Sequence, residues 1–193
     1  MQRDLVERAI AGDHGAFSEL ARASVGRLYV VARLILRDDA RAEDATQEAL
    51  VAAWQRLAGL RDPDRFEAWL HRLLVHACYR EAGRVKRRGT FEVRVDPLAM
   101  PEASPGAFDG TGDLAFDLAE RDQLERGFRR LDLDQRAVLV MHYYLGFSLD
   151  ETAVVLAVPS GTVRSRLHRA IAAMRSALDA DARNPLLNEG RPA

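Results

Sequence analysis

Cysteine is nearly missing from this sequence: Cys78 is the single thiol in 193 residues. One thiol cannot close an internal disulfide, and no CxxC or Cys/His metal spacing accompanies it. A disulfide-stapled secreted fold and a zinc module are therefore excluded, and Cys78 is expected to be a small core residue. Long apolar runs are missing as well, since none approaches the roughly 20 residues that span a bilayer. The amino-terminal Met1-Gln2-Arg3-Asp4 leads directly into an amphipathic pattern instead of a signal-peptide stretch. The expected location is the cytoplasm, without membrane insertion. Lysine is as scarce as cysteine: Lys86 stands among 27 arginines. A GC-rich genome produces that bias as readily as any preference for phosphate, so it carries no functional weight. Alternating strand-like patterns are almost absent, which leaves an all-α chain.

What is present is a globular composition, 48 % hydrophobic and 30 % charged, on a length that suits two small domains better than one core. The net charge of −1 argues against a nucleic-acid partner only as an average. Residues 1–90 carry 16 basic and 13 acidic side chains, residues 91–117 one and six, and residues 118–193 eleven and ten. The acid is concentrated in the middle, where Pro97, Pro101 and Pro105, several glycines and a lack of periodicity mark a linker. The expected organisation is a helical domain over 1–90, an acidic linker over 91–117, a second helical domain over 118–180 and a flexible tail over 181–193.

Residues 2–11 read as a short helix, and Asp13 is a candidate N-cap for a run from Ala16 to Leu36. After a break at Arg37-Asp38-Asp39, AEDATQEALVAAWQRL from Ala42 to Leu57 places Ala42, Ala49, Leu50, Ala53, Trp54 and Leu57 on one side of a helix. Asp62-Pro63 starts another helix, whose stripe is Phe66, Trp69, Leu70, Leu73, Leu74 and Ala77 and whose end is the basic run Arg80 to Arg88. Trp54 and Trp69 both sit among apolar positions and are expected in the core. Helical pattern resumes at Leu118–Arg130, Asp134–Leu145, Ser148–Ala157 and Ser160 to about Leu178.

Ser148 to Ala170, SLDETAVVLAVPSGTVRSRLHRA, is the most informative stretch. Ser148 with Glu151 forms a capping-box signature, and Pro159-Ser160-Gly161 interrupts before a second helix, with Ala153 small enough for a close helix crossing. At about 100° per residue, Leu167, Ala170 and Met174 fall within about 40° of Val163 and form a buried stripe. Thr162, Ser165, His168 and Arg169 lie opposite, Arg164 and Arg166 lie on the flanks, and no acid occurs from Ser160 to Leu178. Guanidinium forks read guanine edges or grip phosphates, hydroxyls serve either, and a helix N-terminus favours a phosphate. This pattern points to a helix-turn-helix that binds DNA.

AEDATQEALVAAW, RFEAWLHRLLVHACYR and VPSGTVRSRLHRA together resemble regions two and four of bacterial RNA polymerase sigma factors of the extracytoplasmic function type, in the sigma-70 family. The resemblance covers about residues 1–88 and 118–180, with the linker in place of the family's third region. It implies a transcription initiation factor that binds core RNA polymerase and directs it to promoter DNA, with an anti-sigma factor as a further partner. The minus-thirty-five element would be read by Thr162, Arg164, Ser165, Arg166, His168 and Arg169. The minus-ten element would be melted by the first domain, with Arg61, Asp64, Arg65, Arg80, Arg84, Lys86, Arg87 and Arg88 as candidates. The helix face of Asp44, Gln47 and Glu48 would dock on the largest polymerase subunit. Ala157 stands where many relatives have glycine before the turn, a change expected to cost little.

An enzyme is disfavoured: the five histidines are scattered, and no Gly-rich phosphate loop, HExxH or nucleophile elbow occurs. No cofactor or metal is expected. The alternatives are a stand-alone helix-turn-helix regulator that binds its operator without polymerase and an all-helical interaction protein. The family's linkers thread the polymerase cleft, where an acidic strap would compete with RNA; a plain solubilising spacer is the alternative. Replacing the six acids of residues 91–117 with neutral side chains should then change abortive synthesis or promoter escape, and unchanged transcript profiles would refute that mimicry.

Overall fold

Eight α-helices account for most of the chain in a computed structural model that describes residues 2–86 and 118–182. No strand occurs among the described residues. The linker, most of the tail, and Arg87 and Arg88 lie outside them, as do the side chains of Arg84 and Lys86. The helices divide between two compact units, one carrying α1 to α4 and the other the bulk of α5 to α8.

In the first unit, α1 (Gln2–Ile10) leads into α2 (His14–Leu36) through Asp13, whose carboxylate accepts the Ala16 N–H at 3.0 Å. That bond, then the Arg8 guanidinium at 2.6 Å, holds the Asp13 carboxyl below the usual range. Arg37, in the left-handed region at φ 58°, ends α2, and Asp38 immediately caps α3 (Asp39–Arg56) by accepting the Arg41 N–H at 3.0 Å. This cap starts α3 three residues before the expected Ala42. Across the joint Arg33 pairs with Asp39, which also accepts the Tyr29 hydroxyl at 3.0 Å.

Two 3₁₀ turns, Leu57–Gly59 and Pro63–Arg65, precede α4 (Phe66–Lys86). All six residues of the expected α4 stripe are buried, and so are His71, Val75, Cys78 and Glu81 on other faces, because both α2 and α3 pack against this helix. Full burial of Leu70, Leu74, Leu28 and Ile35 is worth about 1.5–3 kcal/mol for each side chain. Burial pushes the Cys78 thiol pKa up and the His71 pKa down. His71 Nδ1 donates to Glu67 O at 2.8 Å. Trp69 is in the core as expected, but Trp54 is not: it stays 39 % exposed, its ring 4.7 Å from His14 and 5.0 Å from Phe17. The small residues Ala45, Ala49, Ala52 and Ala53 bring α3 close to its neighbours and leave the indole outside the core.

In the second unit α5 (Leu118–Arg129) and α6 (Leu133–Leu139) pack on α8 (Ser160–Ala182). Gly127 permits the approach of α5, since a Cβ there would overlap Met174 Sδ. Asp132 and Gln135 form a reciprocal capping box at the start of α6. The expected run to Leu145 is instead split, with Val140–Tyr144 in a π-helical stretch closed by Leu145 N–H to Val140 O at 2.9 Å. The Ser148–Glu151 box opens α7 (Leu149–Leu156) with both bonds formed, at 3.1 and 2.9 Å. The break lies at Ala157–Pro159, and Ser160-Gly161 already belongs to α8, which continues to Ala182.

Ala157 adopts φ 51°, left-handed backbone that a Cβ disfavours, so alanine at this turn is costlier than the sequence suggests. Ala157→Gly should raise the unfolding free energy by about 1 kcal/mol. A urea midpoint that falls in the variant would show that the turn tolerates the side chain.

Candidate nucleic-acid interface

Helix α8 is divided along its length. Val163, Leu167 and Ala170 are buried and Met174 is half-buried, while Arg164, Ser165, His168 and Arg169 are exposed and Thr162 is half-buried. Two of the exposed side chains are braced on their own helix, Ser165 Oγ donating to Thr162 O at 2.9 Å and Arg169 Nε to Ser165 O at 3.3 Å. Such bonds hold side chains outward without consuming the rest of their donors, since a guanidinium carries five N–H groups. The result is a row of hydroxyl, imidazole and guanidinium groups on one helix face.

Arg166 differs from its neighbours. On a 100° wheel it is about 60° from Val163, whereas Arg164 is about 100° away, so Arg166 borders the buried stripe. Its Nη2 lies 2.8 Å from Asp134 Oδ2 on α6, and its side chain is 22 % exposed. The structure thus places one of the six expected DNA contacts in an ion pair that ties α8 to α6.

The second group of candidates is gathered around the start of α4. Asp62 caps the Pro63–Arg65 turn by accepting the Asp64 N–H at 3.0 Å, and Pro63 supplies the fixed φ of a first-turn residue. Arg61 and Asp64 are exposed, and Arg65 is folded back on Asp62 at 3.3 Å. Asp64 is paired at 2.7 Å with Arg3 of α1, a residue with no motif to single it out. Glu67, one turn further, accepts from Gln2 at 2.6 Å and from Arg27 at 3.0 Å. Sequence reasoning missed Gln2, Arg3 and Arg27, because Arg3 and Asp64 are brought together only by the packing of α1.

Asp44 and Gln47 are exposed on α3 opposite the buried Ala53 and Leu57. Glu48 is half-buried and pairs with Arg80 of α4 at 3.1 Å. Two residues expected on separate surfaces, one facing protein and one facing DNA, are therefore joined to each other. Arg84 and Lys86 continue α4 beyond this pair.

Among the described residues no group of three or more histidines, cysteines or acids could hold a metal ion, and no helix is long and apolar enough to cross a membrane.

Comparison with known proteins places both halves. Sigma-70 region 2 matches residues 20–88, and Sigma-70 region 4 matches residues 121–174. The extracytoplasmic function sigma factor SigM of Mycobacterium tuberculosis is 33 % identical over 168 residues, which cover 86 % of this chain and 79 % of SigM. The sigma factor CnrH of Cupriavidus metallidurans is 31 % identical over 183 residues, 93 % of this chain and 95 % of CnrH. A solved structure of CnrH in complex with the cytosolic domain of CnrY aligns with TM-score 0.59 at 29 % identity, over 93 % of this chain and 98 % of that one. The match to region 2 is more than a stand-alone operator-binding regulator requires.

The two neighbouring arginines of α8 should separate in a stability measurement. Arg166→Ala should lower the unfolding free energy by up to about 1 kcal/mol through loss of the Asp134 pair. Arg164→Ala should change it by less than about 0.5 kcal/mol. Equal shifts in the two urea curves would contradict the division of α8 into a pinned flank and a free face.

Proposed function

Because the chain belongs to the extracytoplasmic function sigma factors of the sigma-70 family, transcription initiation factors that direct RNA polymerase to promoters, we propose a division of labour between its two helical units. The unit over about residues 118–180 reads the minus-thirty-five element through the exposed row Thr162, Arg164, Ser165, His168 and Arg169. Arg166, paired with Asp134, steadies the helix that carries them. The exposed face of α8 from Ser160 to Leu178, which carries no acid, is the observation that carries this reading, since direct readout needs donors that reach base edges in the major groove.

The unit over about residues 1–90 binds core polymerase and melts the minus-ten element. Exposed Asp44 and Gln47 on α3, with Glu48 beside them, form the polymerase-facing group. The Leu60–Arg65 loop takes the separated strand, with Arg61, Asp64 and Arg65 at its tip. The end of α4, through Arg80, Arg84 and Lys86 and on to Arg87 and Arg88, supplies the basic track that holding a single strand requires. Catalysis belongs to the polymerase, and the chain acts in the cytoplasm. An anti-sigma protein is the remaining partner, in keeping with the capture of the related CnrH by the cytosolic domain of CnrY. The 91–117 linker joins the two units.

Run-off transcription tests the reading. Core polymerase with this protein should yield promoter-dependent transcripts from a library of upstream sequences, where core polymerase alone yields none. A blank library, under conditions in which another sigma factor works, would reject the proposal. Arg164→Ala and Arg169→Ala should each cost about 1–3 kcal/mol at promoters where the residue makes a bidentate base contact. Asp44→Ala with Gln47→Ala should weaken polymerase binding at every promoter alike. A shared promoter-dependent defect in both sets would overturn the division of labour.

A further inference from the structure

Helix α1 lies before the matched region 2 segment, which begins at residue 20, yet its first turn grips the candidate melting loop and the start of α4, at one point each. Arg3 Nη1 is 2.7 Å from Asp64 Oδ2, and Gln2 Nε2 donates to Glu67 Oε1 at 2.6 Å. These acceptors are three residues apart, one in the turn that ends the loop and one in the first turn of α4. The grip is not what keeps α1 folded onto the unit. Val6 and Ala9, buried at 0 % and 4 % exposure, do that, whereas the Arg3 and Asp64 side chains are 61 % and 57 % exposed. An ion pair so open to water contributes little to stability.

Its effect is on the loop's charge and aim. The turn backbone is already satisfied from within: Pro63 sets φ, Asp62 accepts the Asp64 N–H, and Arg65 N–H donates to Asp62 O at 3.1 Å. The Asp62 carboxylate is matched by Arg65 at 3.3 Å. Asp64 is matched from outside the turn, by Arg3, whose Nε also pairs with Glu7 at 2.9 Å. With Arg61 and Arg65 the loop carries two cations beside its two carboxylates, so a further cation next to Asp64 lowers the local repulsion of a polyanionic strand. The same carboxylate is an acceptor suited to the exocyclic amino group of an unstacked cytosine or adenine, read on its exposed edge.

We infer that Arg3 is a positioning residue for the separated promoter strand: it neutralises and aims the Asp64 carboxylate, which accepts an amino group from an unpaired base. This rests on the reading that the Leu60–Arg65 loop takes the minus-ten strand. Arg3 acts through Asp64, so its removal alters base preference and leaves polymerase binding unchanged.

The test uses the full chain assembled with core polymerase and a pool of fork-junction duplexes whose single-stranded non-template segment is randomised, with bound molecules sequenced. Arg3→Ala should lower the preference for adenine or cytosine at one position by about two- to fivefold, the size expected of an exposed pair. Asp64→Asn should shift the preference at the same position, and the double variant should be no worse than Asp64→Asn alone. Arg3→Lys, which keeps the charge, should recover most of the preference. A loss spread evenly over all sequences, persisting in the Asp64→Asn background and reducing the salt dependence, would mean that Arg3 touches a phosphate directly and would overturn the inference. A silent Arg3→Ala beside an active Asp64→Asn would overturn it as well. If Asp64→Asn and Arg61→Ala both leave the pool unchanged, the loop assignment itself fails.

Discussion

Helix α4 has to be covered on more than one face, and the first unit is arranged to meet that demand. Buried residues run from Phe66 to Glu81 at spacings that no single stripe can accommodate, so α2 and α3 both lie against the helix. A helix held from two sides makes a rigid axis. Its two ends are then natural places for function: the capped turn at Asp62 and the loop before it at one end, the basic run from Arg80 at the other. The acidic face of α3 is fixed to the same axis through Glu48 and Arg80. On the proposed division of labour, the α3 face for polymerase is tied to α4 and the strand-holding ends are those of α4 itself, so a movement of α4 would reach both.

The second unit handles a related constraint with fewer residues. Helix α8 supplies the core with Val163, Leu167 and Ala170 and still has to offer a polar face along the same turns. The 100° advance per residue allows both. Arg166 sits at the boundary, and the Asp134 carboxylate draws it to the folded side. The candidate DNA face therefore has sharp edges: Arg166, about 60° from Val163 on the wheel, is part of the fold, and Arg164, about 100° from it, is exposed.

Local chemistry was legible in the sequence and long-range pairing was not. Asp13, the Ser148–Glu151 box and the α4 stripe depend on neighbours within four residues, and all are found where periodicity and capping rules put them. Trp54 was misjudged because helical position alone does not say how near the next helix comes, and the small residues of α3 settle that question. The pairs Arg3–Asp64, Glu48–Arg80 and Arg166–Asp134 join residues 61, 32 and 32 positions apart, distances over which no sequence rule selects one partner among many charges. The left-handed φ of Ala157 was hidden for a different reason: alanine carries no signal of an unusual backbone, where glycine would have. The candidate DNA face of α8 was readable because it is a property of one helix; the loop was only half readable because α1 completes it.

The two-residue joint at Arg37-Asp38 has a kinetic consequence. A joint that short folds α3 back on α2, and α1, α3 and α4 likewise pack on helices next to them in the chain. Contacts close in sequence demand little loop closure, and helical topologies of this kind fold in microseconds to milliseconds. Synthesis at about 5–20 residues per second is far slower. The order of translation thus becomes the order of assembly: the unit bearing the α3 face takes shape while α8 is still being made.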